Sequence, residues 1–502
     1  MNRPQWLEDA VFYEIYPASF YDSNGDGIGD IDGIRQKLPY VKELGCNALW
    51  LNPCFDSPFR DGGYDVRDYE LVAPRYGTNE DLYALFQEAH ALGIRVLLDL
   101  VPGHTSEEHP WFLQSGQAER NEFSDRYIWT DFWIKGTPGH PYIGGETPRN
   151  GTYMLNFFKC QPALNYGWAK VTESWQTPVD GPAARATRNA MADVMRFWLG
   201  HGCDGFRVDM ANSLVKGDDD SKSFTCALWK GLLNRLRQEF PQAAFVAEWG
   251  WPKQALCLAD FDMDFYLDHE GNGYNRLLRS ADAYLRGNDP LPFVTDYLAR
   301  YEASRGFGHI SFITGNHDTP RIRHYLTEAR QKLACALLFT LPGVPFLYYG
   351  DEIGMRYLAD LPSKEGGYTR TGSRTPMQWA PGKNLGFSAA DPANLYLPVD
   401  PAADAPTVQA QAQDPGSLLS VCKAVLSLRH RFSDLQASAP FALVHAQAND
   451  PLLVYRRGAL TLAVNPSDKP VQTPLSGEPL FRIGAFAQGA LGPCSFVILK
   501  DR

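Results

Sequence analysis

Three carboxylates stand just past the ends of apolar runs. Asp209 closes 203–209, Glu248 closes 243–248 and Asp318 closes 312–318. An acid at the end of a buried strand is costly to place, so its presence there points to chemistry. In a (β/α)8 barrel, the C-terminal rim of the strands is where active sites lie. Arg207 precedes Asp209 by two residues and so shares its side of a strand. A guanidinium there would keep Asp209 ionised, as a nucleophile must be. Two histidines accompany the acids: His104 in 97–104, which also holds Asp99, and His317 beside Asp318.

The elements that must position these residues alternate short apolar runs with amphipathic stretches, the pattern of βα units and a parallel sheet. The spacing predicts barrel strands over 12–17, 48–53, 95–101, 205–210, 244–249, 262–267, 310–315 and 345–349. Helices are expected at Asn79–Ala91, 188–199, 225–240 and 332–339, with a closing helix over 418–432. After His104 the pattern lapses into a stretch rich in Gly, Pro and aromatics, too long for a simple loop. The fold class expected is therefore α/β, a (β/α)8 TIM barrel with an inserted domain after strand 3 and a C-terminal all-β domain. The segments are 1–104 and 176–437 for the barrel, 105–175 for the insertion and 438–502 for the terminal β-sandwich. A second long Pro- and Gly-rich stretch, 350–414, falls on the active-site side.

Composition sets the outer bounds. At 502 residues the chain exceeds one ordinary domain, and 44% hydrophobic with 21% charged residues is globular. A formal charge of -11 with no basic run argues against nucleic acid as a partner. No stretch approaches the roughly 20 apolar residues of a membrane helix. The opening residues lack the charged and apolar regions of a signal peptide. Nine scattered cysteines without Cys-x-x-Cys spacing suit a reducing cytoplasm.

The four motifs around Asp99–His104, Arg207–Asp209, Glu248 and His317–Asp318 resemble, in order and spacing, those of glycoside hydrolase family 13, the α-amylase family. The resemblance implies an enzyme on α-glucosides, with 105–175 as domain B. Retaining hydrolysis needs a carboxylate nucleophile and a second carboxyl that donates and then accepts a proton, roughly 5–5.5 Å apart. The resemblance assigns these roles to Asp209 and Glu248. Asp318 becomes the acid that orients sugar hydroxyls and stabilises the oxocarbenium-like transition state. Glu248 must hold its proton until it donates, and Val246, Trp249 and Trp251 could wall it from water. His104 and His317 would bind hydroxyls, whereas Asp99 reads as a brace for its strand end.

Gly63-Tyr64-Asp65 and Arg374 in 374–379 resemble features of the oligo-1,6-glucosidase-like branch of that family. There an Asp–Arg clamp closes the pocket on one terminal glucose, so Asp65, Tyr64 and Arg374 join the expected substrate-binding residues and imply exo action. Gln161-Pro162-Ala163-Leu164-Asn165 is similar to the branch's domain-B motif, with Ala163 where Asp is usual. The residue after the nucleophile, Met210, matches neither the Val of α-1,6 nor the Thr of α-1,4 enzymes. Aromatics are abundant, and Trp111, Trp129, Trp133, Phe157, Phe158 and Trp251 are candidates for stacking on sugar, though most aromatics in such a chain are core.

Oxygen ligands alternate in 22–30, as in the first part of an EF-hand loop, but the bidentate Glu is missing. A looser structural site of Asp22, Asn24, Asp26, the Ile28 carbonyl and Asp30 matches the branch. Calcium is expected there, with magnesium as the alternative. Gly103 replaces the Asn that usually precedes the motif histidine, which argues against a second metal. Two other functions share these residues: a transglucosylase or disaccharide isomerase with the same nucleophile, and a carbohydrate-binding member without catalysis. The intact acids argue against the latter. The glucoside, its linkage and the oligomeric state stay open.

Overall fold

The structure, a computed structural model, describes residues 3–267, 272–487 and 489–500. The outermost residues of the expected first and last segments, 1–2 and 501–502, lie outside the described residues.

Eight parallel strands form the barrel: Phe12–Ile15, Ala48–Leu51, Arg95–Leu100, Gly205–Val208, Ala244–Ala247, Met263–Tyr266, His309–Phe312 and Phe346–Tyr348. Neighbours in sequence pair in register, the first strand pairs with the last, and an Ile313–Phe346 bridge closes the ring. Several strands end earlier than the apolar runs do. Asp209 and Glu248 thus sit one step beyond their strands, with their N–H groups still donating to Leu100 O and Val208 O on the strand before. Inside the ring, Trp50, Phe265 and Phe346 pack with centroids 4.8 to 6.2 Å apart, and Phe12 stacks on Phe346 at 4.3 Å. Each such ring contributes about 2–3 kcal/mol by burial. The rim therefore stands on a packed plug.

Local signals set the helix limits. Ile31–Leu44 starts at Asp30, whose side chain accepts from Gly33 N–H, and stops at left-handed Gly45. Asn79–Ala91 follows a Thr78/Asp81 capping box. The helix expected at 188–199 begins earlier, at Pro182, because proline suits the first helical turn. At the end of the chain a five-stranded antiparallel sheet runs in the order Phe441–Gln447, Asp450–Arg457, Leu460–Asn465, Ser495–Lys500, Pro479–Ile483. One of its faces, including Tyr455, Leu462 and Ile498, joins the main core. Between the third and fourth barrel strands lies a small hairpin, Tyr142–Gly144 with Thr152–Met154. Among the described residues no helix is long and apolar enough to cross a membrane.

Candidate active site

Arg207 organises the rim. Fully buried, it donates through Nη1 to Asp99 Oδ1 at 2.7 Å and Asp209 Oδ1 at 3.0 Å, and its Nη2 forms an ion pair with Glu248 Oε1 at 2.8 Å. Burial pushes the Asp209 carboxyl up; Arg207 opposes this, while Glu248, Asp99 and Asp318 add to it. Met210 directs its N–H to the other Glu248 oxygen at 2.9 Å from a left-handed backbone, φ 42°. Asp99 is a buried brace: besides Arg207 it accepts from Trp50 Nε1 and Tyr64 Oη. Burial raises it to about 6 against the pull of Arg207.

Asp209, Met210, Glu248 and Asp318 line one pocket of about 310 Å³ together with Asp61, Tyr64, His104, Phe157, Asn212 and Arg370. Asp318 shows 30% of its side chain to the pocket. Burial would raise its carboxyl, but His317, Arg374, Arg370 and Arg207 together hold it well below the usual carboxylate range. Tyr64 stacks on His317 at 5.3 Å, and its hydroxyl lies 2.6 Å from His317 Nε2. His317 and Arg207 stand behind this lining, fully buried. Burial lowers His317 well below its ordinary range, and its Nδ1 lies 2.8 Å from Glu14. His104 faces the pocket, lowered to about 4 by burial. A larger cavity of about 980 Å³ opens at the opposite end of the barrel, beside His309 and Phe441. Glu8 is its one carboxylate among the described residues, so it offers no acid pair.

The expected clamp of Asp65 and Arg374 is not formed. Asp65 is fully buried and accepts from Ser57 Oγ and the N–H groups of Arg60 and Asp61. Arg374 lies beneath the pocket, donating to Asp318 Oδ1 at 2.9 Å and to His317 O. The Asp–Arg pair that faces the pocket is four residues upstream on both sides: Arg370 Nη2 meets Asp61 Oδ1 at 2.9 Å, and its Nη1 reaches Asp318 at 3.2 Å. Gln161 donates to the other Asp61 oxygen at 2.8 Å, so the domain-B motif supports this pair. Burial raises Asp61 to about 6 despite Arg370 and Gln161. Two left-handed glycines, Gly62 and Gly63, separate the two aspartates; a Cβ on Gly62 would fall 2.7 Å from Arg374. The tight turn, which sends the two side chains to different surroundings, is the physical reason for the change of register. Of the aromatics, Phe157 lines the pocket, with Phe158 packed on it. Trp129 is buried in the insertion, Trp111 packs on Tyr69, and Trp133 and Trp251 are exposed. Asn212 carried no signal in the sequence beyond its nearness to Asp209.

In 22–30, Asp22 accepts from the N–H groups of Gly25 and Gly27, Asn24 from Asp26, and Asp26 from Ile28. Asp30 accepts from Ser23 and caps the first helix. The donors are all oxygen, the chemistry a hard cation selects. Among the described residues no group of three His, Cys, Asp or Glu side chains is placed to hold an ion, so Asp22, Asp26 and Asp30 are not gathered around one point here and their oxygens accept from backbone N–H groups instead.

A (β/α)8 barrel whose rim gathers three acids and a histidine around a small pocket, with an arginine and a second histidine buried behind it, has the layout of a barrel enzyme. The chain belongs to the α-amylase family: the model of its catalytic domain matches residues 14–249 and 260–437. It is 34% identical to the trehalose synthase/amylase TreS of Mycolicibacterium smegmatis, over 88% of this chain and 80% of that protein. It is 31% identical to the oligo-1,6-glucosidase of Heyndrickxia coagulans, over 89% and 90%. Among solved structures, the trehalulose synthase MutB of Pseudomonas mesoacidophila MX-45 superposes with a TM-score of 0.82 at 26% identity, over 99% of both chains. The chain is thus an enzyme acting on α-glucosides.

Proposed function

We propose that this enzyme is a retaining, exo-acting α-glucosidase of short α-glucosides. Asp209 attacks the anomeric carbon, displacing the leaving sugar as Glu248 protonates its oxygen; a β-glucosyl ester on Asp209 results. Glu248 then takes a proton from water, whose oxygen bonds to the anomeric carbon as the ester bond to Asp209 breaks, releasing glucose with net retention and restoring the Asp209 carboxylate. Asp318, Tyr64 and His104 hold the sugar, with Arg207 and His317 braced behind them. The observation that carries exo action is the Asp61–Arg370–Asp318 chain across one side of the pocket. It supports a dead end for one terminal sugar, in a volume at the small end of ligand pockets.

Incubation with maltose, isomaltose, sucrose, trehalose, kojibiose, nigerose and soluble starch tests the reading. Glucose from one or two disaccharides, with starch intact, is expected; maltodextrins from starch would sink it. The names of the relatives favour a second reading, in which a sugar hydroxyl replaces water as acceptor. New disaccharides in place of glucose at high substrate would select it.

The reading includes calcium, or magnesium, on Asp22, Asn24, Asp26, the Ile28 carbonyl and Asp30, as a structural tie without a step in the chemistry. It also includes a reducing compartment, supported by nine unpaired thiols of which seven are buried. Recovery of the activity from the secreted fraction of the source cells would refute that location.

A further inference from the structure

We infer that Asn156 is a positioning residue that fixes the tautomer and orientation of His104, in space that Gly103 leaves open. Asn156 lies in the insertion, its own N–H held by Gln161 O at 3.0 Å. Its side chain bridges two elements. Lys216, beyond the fourth barrel strand, directs Nζ to Asn156 Oδ1 at 3.3 Å and to Ser213 O at 2.7 Å. Asn156 Nδ2 in turn lies 2.9 Å from His104 Nδ1, and His104 Nε2 lies 3.1 Å from Tyr64 O.

The chemistry of the partners gives this chain one direction. An ammonium only donates, so the Asn156 oxygen must face Lys216 and the amide N–H₂ must face His104. Nδ1 therefore accepts, and the proton of neutral His104 sits on Nε2, where the Tyr64 carbonyl takes it. The Tyr64 carbonyl demands the same proton on Nε2, so the Lys216–Asn156 pair at the other nitrogen agrees with it, and the ring is held from both sides. A Cβ on Gly103 would fall 2.9 Å from Asn156 Nδ2. A side chain at 103 would therefore push this amide away from His104. Met210 Sδ, next to the nucleophile, lies 4.0 Å from the same Nδ2, so the amide also borders the residue behind Asp209.

This inference rests on His104 holding sugar in the proposed reaction. It is tested with Asn156→Leu, Asn156→Gly, Gly103→Asn and the exchanged pair Gly103→Asn/Asn156→Gly, on whichever disaccharide the wild type cleaves. Each single variant should lower kcat/KM by about 10- to 100-fold, the scale for misplacing a binding group, with Tm held. The pair, which moves the amide from one backbone to the other, should recover most of that loss. Asn156→Leu at wild-type kcat/KM, or a pair no better than its weaker parent, would overturn the inference while leaving the glucosidase reading intact. A wild type inactive on every glucoside would remove that reading and this one with it. If Asn156→Leu melts early, Asn156→Asp decides. Its carboxylate only accepts, so His104 must gain a proton on Nδ1, with Lys216 the cation facing it. The acid limb of kcat/KM should then move up by about one pH unit, and an unmoved limb counts against the inference.

Discussion

A carboxylate that attacks an anomeric carbon must be ionised in a site that burial makes hostile to charge. For Asp209 the counterweight is one guanidinium shared with Asp99 and Glu248. Removing the Asp209 carboxylate leaves that guanidinium two acid partners, so the fold should survive. Asp209→Ala should reduce turnover by about 10⁴ or more with near-wild-type Tm, and residual activity within tenfold would show that Asp209 is not the nucleophile. Asp61 carries a different signature. Its carboxyl is about 6 in the folded chain against an ordinary 3.8, so the folded state holds the proton more tightly. Stability is therefore lost as pH rises from about 4 to about 6, and the loss persists above that. Asp61→Asn removes this dependence. Its Tm relative to wild type should climb between pH 4 and pH 7, while kcat/KM falls about 10- to 100-fold with the lost charged hydrogen bonds. A constant Tm difference across that range would show that Asp61 is not held against its charge.

Elements decide how much of this a sequence reveals. Asp209 and Glu248 were legible because each ends an apolar run of strand length, and a parallel strand has only one rim to deliver an acid to. The eight strands and most helices were legible for the same reason, periodicity and caps. The clamp was not. Asp61 and Asp65 flank a two-glycine turn, and Arg370 and Arg374 sit in and just after a 3-10 turn, Tyr368–Ser373, inside a segment without hydrophobic period. Nothing in such segments says which of two like residues faces the pocket; that depends on contacts such as Gln161 on Asp61, made across 100 positions of chain. Gly205 shows the opposite case, a backbone demand visible once the sheet is built. At the start of the strand that leads to Asp209 it has φ 144°, and a Cβ there would fall 1.8 Å from Ala244 O. Because Ala244 is backbone of the neighbouring strand, it has little freedom to move away. Gly205→Ala should drop Tm by about 4 °C or more, on the order of 4 kcal/mol or above, or leave the protein insoluble. A Tm within about 2 °C of wild type would mean that the strands can part there without cost.

On the scale of the whole molecule, the loop 22–30 joins parts of the chain far apart in sequence. Asp22 N–H donates to Phe387 O, Ser388 Oγ donates to Asp22 Oδ2 at 2.5 Å, and Tyr396 N–H donates to Gly27 O. These contacts tie the first βα connection to the segment 350–414, which also delivers Arg370 to the pocket. A cation held by the same loop would stiffen that tie without touching substrate. It would stabilise only the folded chain, by about 2.7 kcal/mol at a hundredfold excess over Kd. Chelation should therefore lower Tm by about 3 °C, and calcium or magnesium, added back singly, should restore it. Activity assayed well below the melting transition should change far less than Tm, because no step of the reaction passes through the ion. Asp26→Ala should abolish the response to chelator while the barrel stays folded, since the Asp26 carboxylate accepts from Ile28 N–H within its own loop. A Tm indifferent to both chelator and added cation would show that the loop is held by its own Asx hydrogen bonds. The contacts with Phe387, Ser388 and Tyr396 alone would then tie the first barrel connection to the segment that carries Arg370.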